Sequence, residues 1–253
     1  MIVLIREIRN LIAFLTIIPV GMDENCLVDA ANNMHFFPLI GAFIGLITGV
    51  FAWMLLKFFD ALLVGILTLG LTSLVTGLHH ADGLLDFGDG LMYQGSAEEK
   101  IKIMHDRQTG VGGFALGTIT FLTTAFCIAK FNQSAVVQTL ITCEASAKLA
   151  MVIVAWLGKS AHKGMNTYFI NAMHDKNGNS RLTVALLITF SLASALMRLT
   201  GLVAVSASIV TALIITKISE RHFNGVTGDV FGASNELARL CSLLMSAVMV
   251  QWV

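Results

Sequence analysis

Repeated apolar segments constrain this chain more than any other feature. Of its 253 residues, 56% are hydrophobic and only 13% are charged, and the mean hydropathy is +0.79. An ordinary soluble domain has about 25% charged residues. Several apolar runs approach the roughly 20 residues with which a helix crosses the hydrocarbon of a bilayer. The sequence therefore predicts an all-α, polytopic transmembrane helical bundle, formed as a single domain over residues 1–253.

The apolar runs predict about seven spans plus an N-terminal helix. Arg6, Glu7 and Arg9 give that first helix a polar side, so it either lies in the membrane interface or crosses the membrane. Small residues every four positions predict a close helix contact at Gly41, Gly45 and Gly49. The predicted spans are about 35–59, 61–78, 114–129, 134–157, 182–196, 202–216 and 231–253.

The basic residues predict the orientation of these spans. The polar loops 80–112, 158–181 and 217–230 fall on one side and contain nine Lys and Arg residues, whereas the other side has few. Lys and Arg concentrate in cytoplasmic loops, so we expect these loops to face the cytoplasm and the chain to reside in the cell membrane. The 16 basic and 16 acidic residues cancel, and we expect the lipid bilayer, not nucleic acid, as a partner.

Residues 79–90, the acidic island, are the most polar stretch next to an apolar run. Asp82, Asp86 and Asp89 are spaced by four and three, which places them on one face of a helix. Three carboxylates this close repel each other unless they take up protons or bind a divalent cation through hard oxygen ligands. We therefore predict that they bind metal and act at a catalytic site, with Mg²⁺ holding a diphosphate for phosphoryl transfer.

Three histidines near the island raise the alternative of zinc. His79, His80 and His105 could supply imidazole ligands, but the sequence has no HExxH motif and no paired cysteines near them. Magnesium is therefore favoured over zinc. His80 is a candidate general base or hydrogen-bond donor, and His79 is interpreted as structural.

A glycine-rich turn follows the island. Gly110, Gly112 and Gly113 precede an apolar helix, and such a turn lets backbone N–H groups approach an anion at the helix N-terminus. Asp106 adds a carboxylate for metal, and Arg107 adds a guanidinium for phosphate. A flexible entry into the membrane is the alternative interpretation of the glycines.

A second polar patch covers residues 224–236. Asp229 and Glu236 fall on one helical face there. Acids inside an apolar segment are costly and usually functional, although Asp229 would also suit a helix N-cap. The candidate substrate-binding residues in this patch are Asn224, Thr227, Gly228, Asp229 and Glu236.

Several motifs together resemble a known family. They are residues 80–90 (HADGLLDFGDG), residues 104–113, residues 227–233 (TGDVFGA), residues 14–19 (FLTIIP) and residues 37–41 (FPLIG). In this order they resemble the cobalamin synthase family, whose members are adenosylcobinamide-GDP ribazoletransferases. The likeness extends over nearly the whole chain.

The resemblance implies an integral membrane enzyme of adenosylcobalamin assembly. Such an enzyme joins adenosylcobinamide-GDP to α-ribazole or α-ribazole 5'-phosphate, using Mg²⁺ and releasing GMP. It also implies that the acceptor ribose 3'-hydroxyl attacks the cobinamide-side phosphorus, and that Asp82, Asp86, Asp89 and Asp106 hold the metal. Bacterial members of the family tend to have an Arg directly after the serine of the fifth span, whereas Ser146 is followed here by Ala147 and Lys148. Lys148 is the candidate substitute for that Arg.

Two other classes remain as alternatives. A CDP-alcohol phosphotransferase would share the acidic cluster, but its signature has Ala-Arg soon after the first Asp-Gly, where this chain has Leu84-Leu85-Asp86. A transporter would have acids near the middle of paired broken helices. The acids here cluster at the predicted cytoplasmic edge.

Overall fold

The structure is a computed structural model that describes residues 2–252, and the side chains of residues 6–250. The described chain is helical and has the following elements. They are α1 (Ile2–Leu15), α2 (Cys26–Asn32), a 3₁₀ turn (Met34–Phe36), α3 (Phe37–Leu55), α4 (Ala61–Val75), α5 (His79–Met92), α6 (Ala97–Met104), α7 (Val111–Ile128), α8 (Val136–Leu157), α9 (Met165–Met173), α10 (Gly178–Phe223) and α11 (Gly228–Trp252).

The predicted all-helical class is confirmed, but the predicted number of spans is not. Within residues 2–252, four helical segments are long and apolar enough to cross a membrane, namely Met34–Leu55, Val111–Ile128, Val136–Leu157 and Gly178–Phe223. A fifth would result if α4 and α5 were counted together, although the pair is bent by 96°. We treat the four segments as spanning and α5 as lying outside them.

The long helix α10 folds back on itself. Arg198 in its middle has φ 50° and ψ −129°, which is not helical. A side chain added at Gly201 would collide with the carbonyl of Ala193, whereas eight residues of continuous helix would separate them by about 12 Å. α10 is therefore a pair of antiparallel helices joined at Arg198, as the short turn predicted between residues 196 and 202 requires.

Helix α8 is the centre of the bundle, with α3, α10 and α11 packed around it. A Cβ added at Gly41 would collide with the carbonyl of Glu144, and one at Gly45 with that of Leu140. At Gly49 the added atom would lie 2.9 Å from the Cα of Val137. The predicted glycine seam is confirmed, because only hydrogen side chains permit α3 to approach α8 this closely.

Helix α1 lies at one end of the bundle. Its 14 residues extend about 21 Å, less than the roughly 30 Å of a hydrocarbon core. The Ile17 amide just after it donates to the Val75 carbonyl at 2.8 Å. Arg9 donates to Asp23 at 2.8 Å, and Asn10 donates to Asp29, also at 2.8 Å. These contacts favour an interfacial helix.

The three predicted cytoplasmic loops meet at the same end. The Ala161 amide donates to the Val226 carbonyl at 3.1 Å, and the Val226 amide donates to the Lys159 carbonyl at 2.7 Å. The Lys100 ammonium lies 2.9 Å from Nδ1 of His222. Residues from all three loops are thereby joined around the acidic island.

Candidate active site

A sharp turn places α5 across the end of the bundle. Gly77 and Leu78 have φ angles of 65° and 62°, in the left-handed region. Glycine adopts this conformation readily, but a leucine there is strained. Two such residues in succession end α4 and redirect the chain, so the acidic island forms a helix, as predicted, at 96° to α4.

Glycines let α5 contact two neighbouring helices closely. A Cβ added at Gly83 would lie 3.0 Å from the Cα of Asp229 and 3.2 Å from that of Gly232, both on α11. On another side, a Cβ added at Gly88 would lie 2.9 Å from the Cα of Gly113 on α7. The contact at Gly83 places the island beside the start of α11, so Asp229 of the second patch lies next to the acidic island.

Three carboxylates lie near one another where α5 and α11 touch. The side chain of Asp82 is exposed, and those of Asp86 and Asp229 are partly buried. Burial, and then the nearby charges of Asp229, Asp82 and Asp89, together raise the pKa of Asp86 to about 7. His105 Nε2 lies 3.9 Å from Asp229 Oδ2. This negative field favours a bound cation.

Asp89 differs from its neighbours on α5. Its carboxylate accepts hydrogen bonds from the amides of Gly110 and Gly113, each at 2.7 Å. The sequence predicts that the backbone amides at the N-terminus of α7 bind a substrate anion, but two of them bind the Asp89 carboxylate. Gly112 packs against α5, where an added Cβ would lie 2.8 Å from the Gly88 oxygen. These contacts correct the interpretation of the glycine turn as an open anion site.

The four carboxylates predicted as metal ligands do not form a ready-made cluster. Among the side chains of residues 6–250, no three Asp, Glu, His or Cys groups converge closely enough to hold a metal ion. Asp89 is bound to α7, and Asp106 lies exposed in the turn after α6 with Arg107. The remaining hard oxygen donors, on Asp82, Asp86 and Asp229, fit Mg²⁺, which uses one or two carboxylates and completes its shell with waters and substrate phosphates.

A cavity of about 520 Å³ opens beside these acids. Asp82, Asp229 and His80 lie at its wall, and the rest of the lining is mostly apolar. His80 is buried, and its Nδ1 has no hydrogen-bond partner among the described residues. Burial lowers the pKa of His80 well below its usual value, and the nearby charges of Lys148 and Arg239 lower it further. The imidazole is therefore neutral.

The loop before α11 shapes the other side of the cavity. Asn224 ends α10 with a left-handed φ of 58° and an exposed side chain. The Thr227 hydroxyl lies 3.2 Å from Asp229 Oδ2 and accepts a hydrogen bond from the Val230 amide at 3.3 Å. Gly228 lines the cavity. Thr227 therefore orients Asp229, and Asp229 faces the cavity as well as beginning the helix.

Lys148 and Glu236 lie deeper, in a buried ionic network. Arg239 pairs with Glu144 and Glu236, and the Lys148 ammonium donates to Asn235 Oδ1 at 2.6 Å. All five side chains are buried. Substrate binding by Lys148 and Glu236 stays a prediction, but their contacts give them a structural role between α8 and α11.

Sequence reasoning missed two groups of residues. The charges of Glu144 and Arg239 inside apolar segments were a usable signal, because such residues are rarely left unpaired. The apolar cavity wall gave no comparable signal, since its residues have the same composition as lipid-facing ones. The aromatic members of that wall are Phe14, Phe37, Phe169 and Phe231.

Fold and site together define a class: an all-helical, apolar bundle with an acidic site and a cavity at one end. The family model described as cobalamin-5-phosphate synthase matches residues 7–247. The chain belongs to this family, which confirms the resemblance noted in the sequence. No solved structure matches the chain.

Three similar proteins carry the name adenosylcobinamide-GDP ribazoletransferase. The protein of Methanocella arvoryzae is 33% identical over 97% of this chain and 97% of its own length. That of Methanosarcina barkeri is 31% identical over 94% and 90%. That of Methanococcoides burtonii is 30% identical over 96% and 92%. The likeness therefore includes both the acidic island and the second patch.

Proposed function

We propose that the chain is a membrane-bound transferase that joins adenosylcobinamide-GDP to α-ribazole or α-ribazole 5'-phosphate, with release of GMP. Family membership supports this activity, as do the names of the relatives. The structural observation that carries it is that Asp82 and Asp229 line the cavity, with Asp86 close enough for their charges to raise its pKa. A diphosphate donor at these acids would lie next to an acceptor in the cavity.

The reaction follows from that placement. The acceptor ribose 3'-hydroxyl oxygen bonds to the cobinamide-side phosphorus, the bond from that phosphorus to the bridging oxygen breaks, and GMP leaves. Mg²⁺, held by one or two of Asp82, Asp86 and Asp229 together with substrate phosphates and water, would neutralise charge on the diphosphate. His80, neutral and at the cavity wall, is positioned to accept the hydroxyl proton. Arg107, exposed near the acids, is available to bind phosphate.

The activity is tested by incubating the purified, detergent-solubilised protein with adenosylcobinamide-GDP, Mg²⁺ and either acceptor. We expect GMP and the coupled corrinoid in equal amounts, and their loss in the Asp82→Asn variant. Glu98→Gln, an exposed acid on α6, is the matched control and should retain activity. Release of CMP from a CDP-alcohol, or no nucleotide from any donor, would contradict the proposal and favour one of the alternative classes.

We also infer about seven spans with the site facing the cytoplasm. α3, α7 and α8 would each cross once, α10 twice because it reverses at Arg198, and α4 and α11 once each. The Lys and Arg residues concentrated at the site end support the orientation.

Cysteine labelling of intact cells tests this topology. A cysteine at Lys176, exposed at the site end, should resist an impermeant reagent applied outside. A cysteine at Ser134, exposed at the other end, should react. The unsubstituted protein controls for Cys26, Cys127, Cys143 and Cys241, of which Cys241 is partly exposed. The reverse pattern would refute the orientation.

A further inference from the structure

The wall of the cavity has a specific chemistry. Phe169 is at its centre, with ring centroids 5.3 Å from Phe14, 6.0 Å from Phe37 and 6.1 Å from Phe231. Methionines complete the lining at Met22, Met34, Met151 and Met165. Aromatic edges and polarisable sulfur favour contact with a flat aromatic ring. The wall therefore suits a planar ligand better than a sugar or a phosphate.

The polar groups of the cavity lie mainly at one end. Asp82, Asp229 and His80 face it there, and His79, next to His80, also lines it. In the two other polar side chains of the lining, Asn166 and Thr76, the polar hydrogens are already used. Asn166 Nδ2 donates to Ser160 and to the Val226 carbonyl at 2.8 Å each, and the Thr76 hydroxyl donates to the Thr72 carbonyl at 3.1 Å. A ligand enclosed here would have an apolar, ring-shaped part away from the acids and a polar part beside them.

Size and polarity distinguish the two substrates. The cavity volume of about 520 Å³ lies within the range of roughly 300–1,000 Å³ found for small-molecule sites. A corrinoid joined to GDP is too large to be enclosed. The guanine of GDP would lose hydrogen bonds to water that this wall does not replace, which is costly. The benzimidazole ring of ribazole has few such groups.

We propose that the cavity binds the acceptor, with its benzimidazole base against the Phe and Met wall and its ribose towards Asp82, Asp229 and His80. This inference rests on the proposed function. It assigns base selection to the wall residues and makes α1, through Phe14, part of the acceptor site. The donor is left to the outer, exposed side of the acids.

Variants of the wall test the proposal by separating the two substrates. Phe14→Ala should raise the KM for α-ribazole roughly tenfold or more, from lost burial and ring contact, and leave the donor KM and the kcat at saturation unchanged. Met165→Ala, at the exposed rim, should raise the same KM several-fold. Phe126→Ala, an exposed aromatic on α7 outside the cavity, is the matched control and should resemble the parent.

Direct binding provides a second readout that does not depend on turnover. Titration of α-ribazole into the protein without donor should give a Kd that is weakened in Phe14→Ala by the same factor as the KM. An unchanged Kd, or a change in the donor KM instead, would overturn the assignment while the proposed activity stands. If Phe14→Ala fails to fold, Met165→Ala decides by the same measurements. Absence of GMP release by the parent would instead refute the proposed function.

Discussion

Acidic side chains occupy two regions of this apolar protein, and their partners differ. In the buried network, the two acids Glu144 and Glu236 are matched by Arg239 and Lys148. Beside the cavity, Asp82, Asp86 and Asp229 lie near one another without a paired Lys or Arg among the described residues, and His105 Nε2 lies 3.9 Å from Asp229 Oδ2. A buried charge is tolerated when it is paired and hydrogen-bonded, so the network is complete in itself. The repulsion among the acids beside the cavity is relieved only by a bound cation or by protonation, to which the raised pKa of Asp86 corresponds.

The largest expected effect is a loss of stability when the buried ionic network is disrupted. Arg239→Leu removes the guanidinium that pairs with both buried carboxylates and should reduce the free energy of unfolding by about 3–5 kcal/mol. Equilibrium unfolding of the variant and the parent in mixed detergent micelles measures this difference in free energy. Lys217→Met, an exposed cation on α10, is the control. Adding Glu144→Gln and Glu236→Gln should recover part of the loss, and an Arg239→Leu protein of normal stability would contradict the network's role.

For the acids beside the cavity, the expected effect of a substitution is on activity instead of stability. Asp86→Asn removes one charge from these acids, so stability in EDTA should not fall. Losing charge stabilisation of the transferring phosphoryl group should reduce the rate about a hundredfold or more, equivalent to about 3 kcal/mol. GMP release measured at several Mg²⁺ concentrations gives the effect on the rate. Thermal melting in EDTA gives the effect on the stability of the metal-free protein. Normal turnover, or inactivity caused by unfolding, would contradict the assignment.

Asp89 lies on α5 with the acids beside the cavity, but its carboxylate is hydrogen-bonded within the protein like those of the buried network. Because it binds the Gly110 and Gly113 amides, Asp89→Asn should destabilise the fold by about 1 kcal/mol, as for the loss of a helix cap. The Mg²⁺ concentration for half-maximal activity should stay unchanged, unlike in Asp86→Asn. A raised Mg²⁺ requirement would instead restore Asp89 as the ligand that the sequence predicts.

The smallest effect is expected where a charge pair is exposed. The hydrogen bond from Arg181 lowers the pKa of Asp175, which lies between α9 and α10. A lowered carboxyl pKa contributes stability above the pKa of the unfolded chain and loses it as the pH falls through the folded pKa. Asp175→Asn should therefore cost little at neutral pH and nothing at strongly acidic pH. Melting curves of Asp175→Asn and the parent at both pH values measure these losses. An equal loss of stability at the two pH values would refute the pairing of Asp175 with Arg181.

Much of the fold was predictable because it depends on local patterns. Apolar runs predicted the helices, and the glycine repeat predicted the seam between α3 and α8. The basic loops predicted that residues from three distant segments would meet at one end. The pairing of Asp229 with the acidic island also followed, since both patches enter an apolar segment from the same side.

The remaining parts depend on contacts between distant residues. Helical spacing groups Asp89 with Asp82 and Asp86, and only tertiary packing shows that its partners are amides 21 and 24 residues later. Glu144 and Arg239 meet across 95 residues. The cavity wall was invisible for another reason, because an apolar residue facing a ligand and one facing lipid follow the same pattern.

The reversal at Arg198 also bears on how the protein enters a bilayer. Both ends of α10 lie at the site end. If its two halves each span the bilayer, as proposed above, they would insert together as a hairpin, with only their connecting turn carried across. Between Arg181 and Lys217 the sequence has one charged residue, Arg198. An arginine at the centre of a membrane helix costs about 2.5–3.5 kcal/mol on insertion scales. That cost is met only while the turn crosses, and burial of the apolar side chains of both halves in the bilayer offsets it. Once the turn has crossed, the charge on Arg198 opposes its return through the membrane.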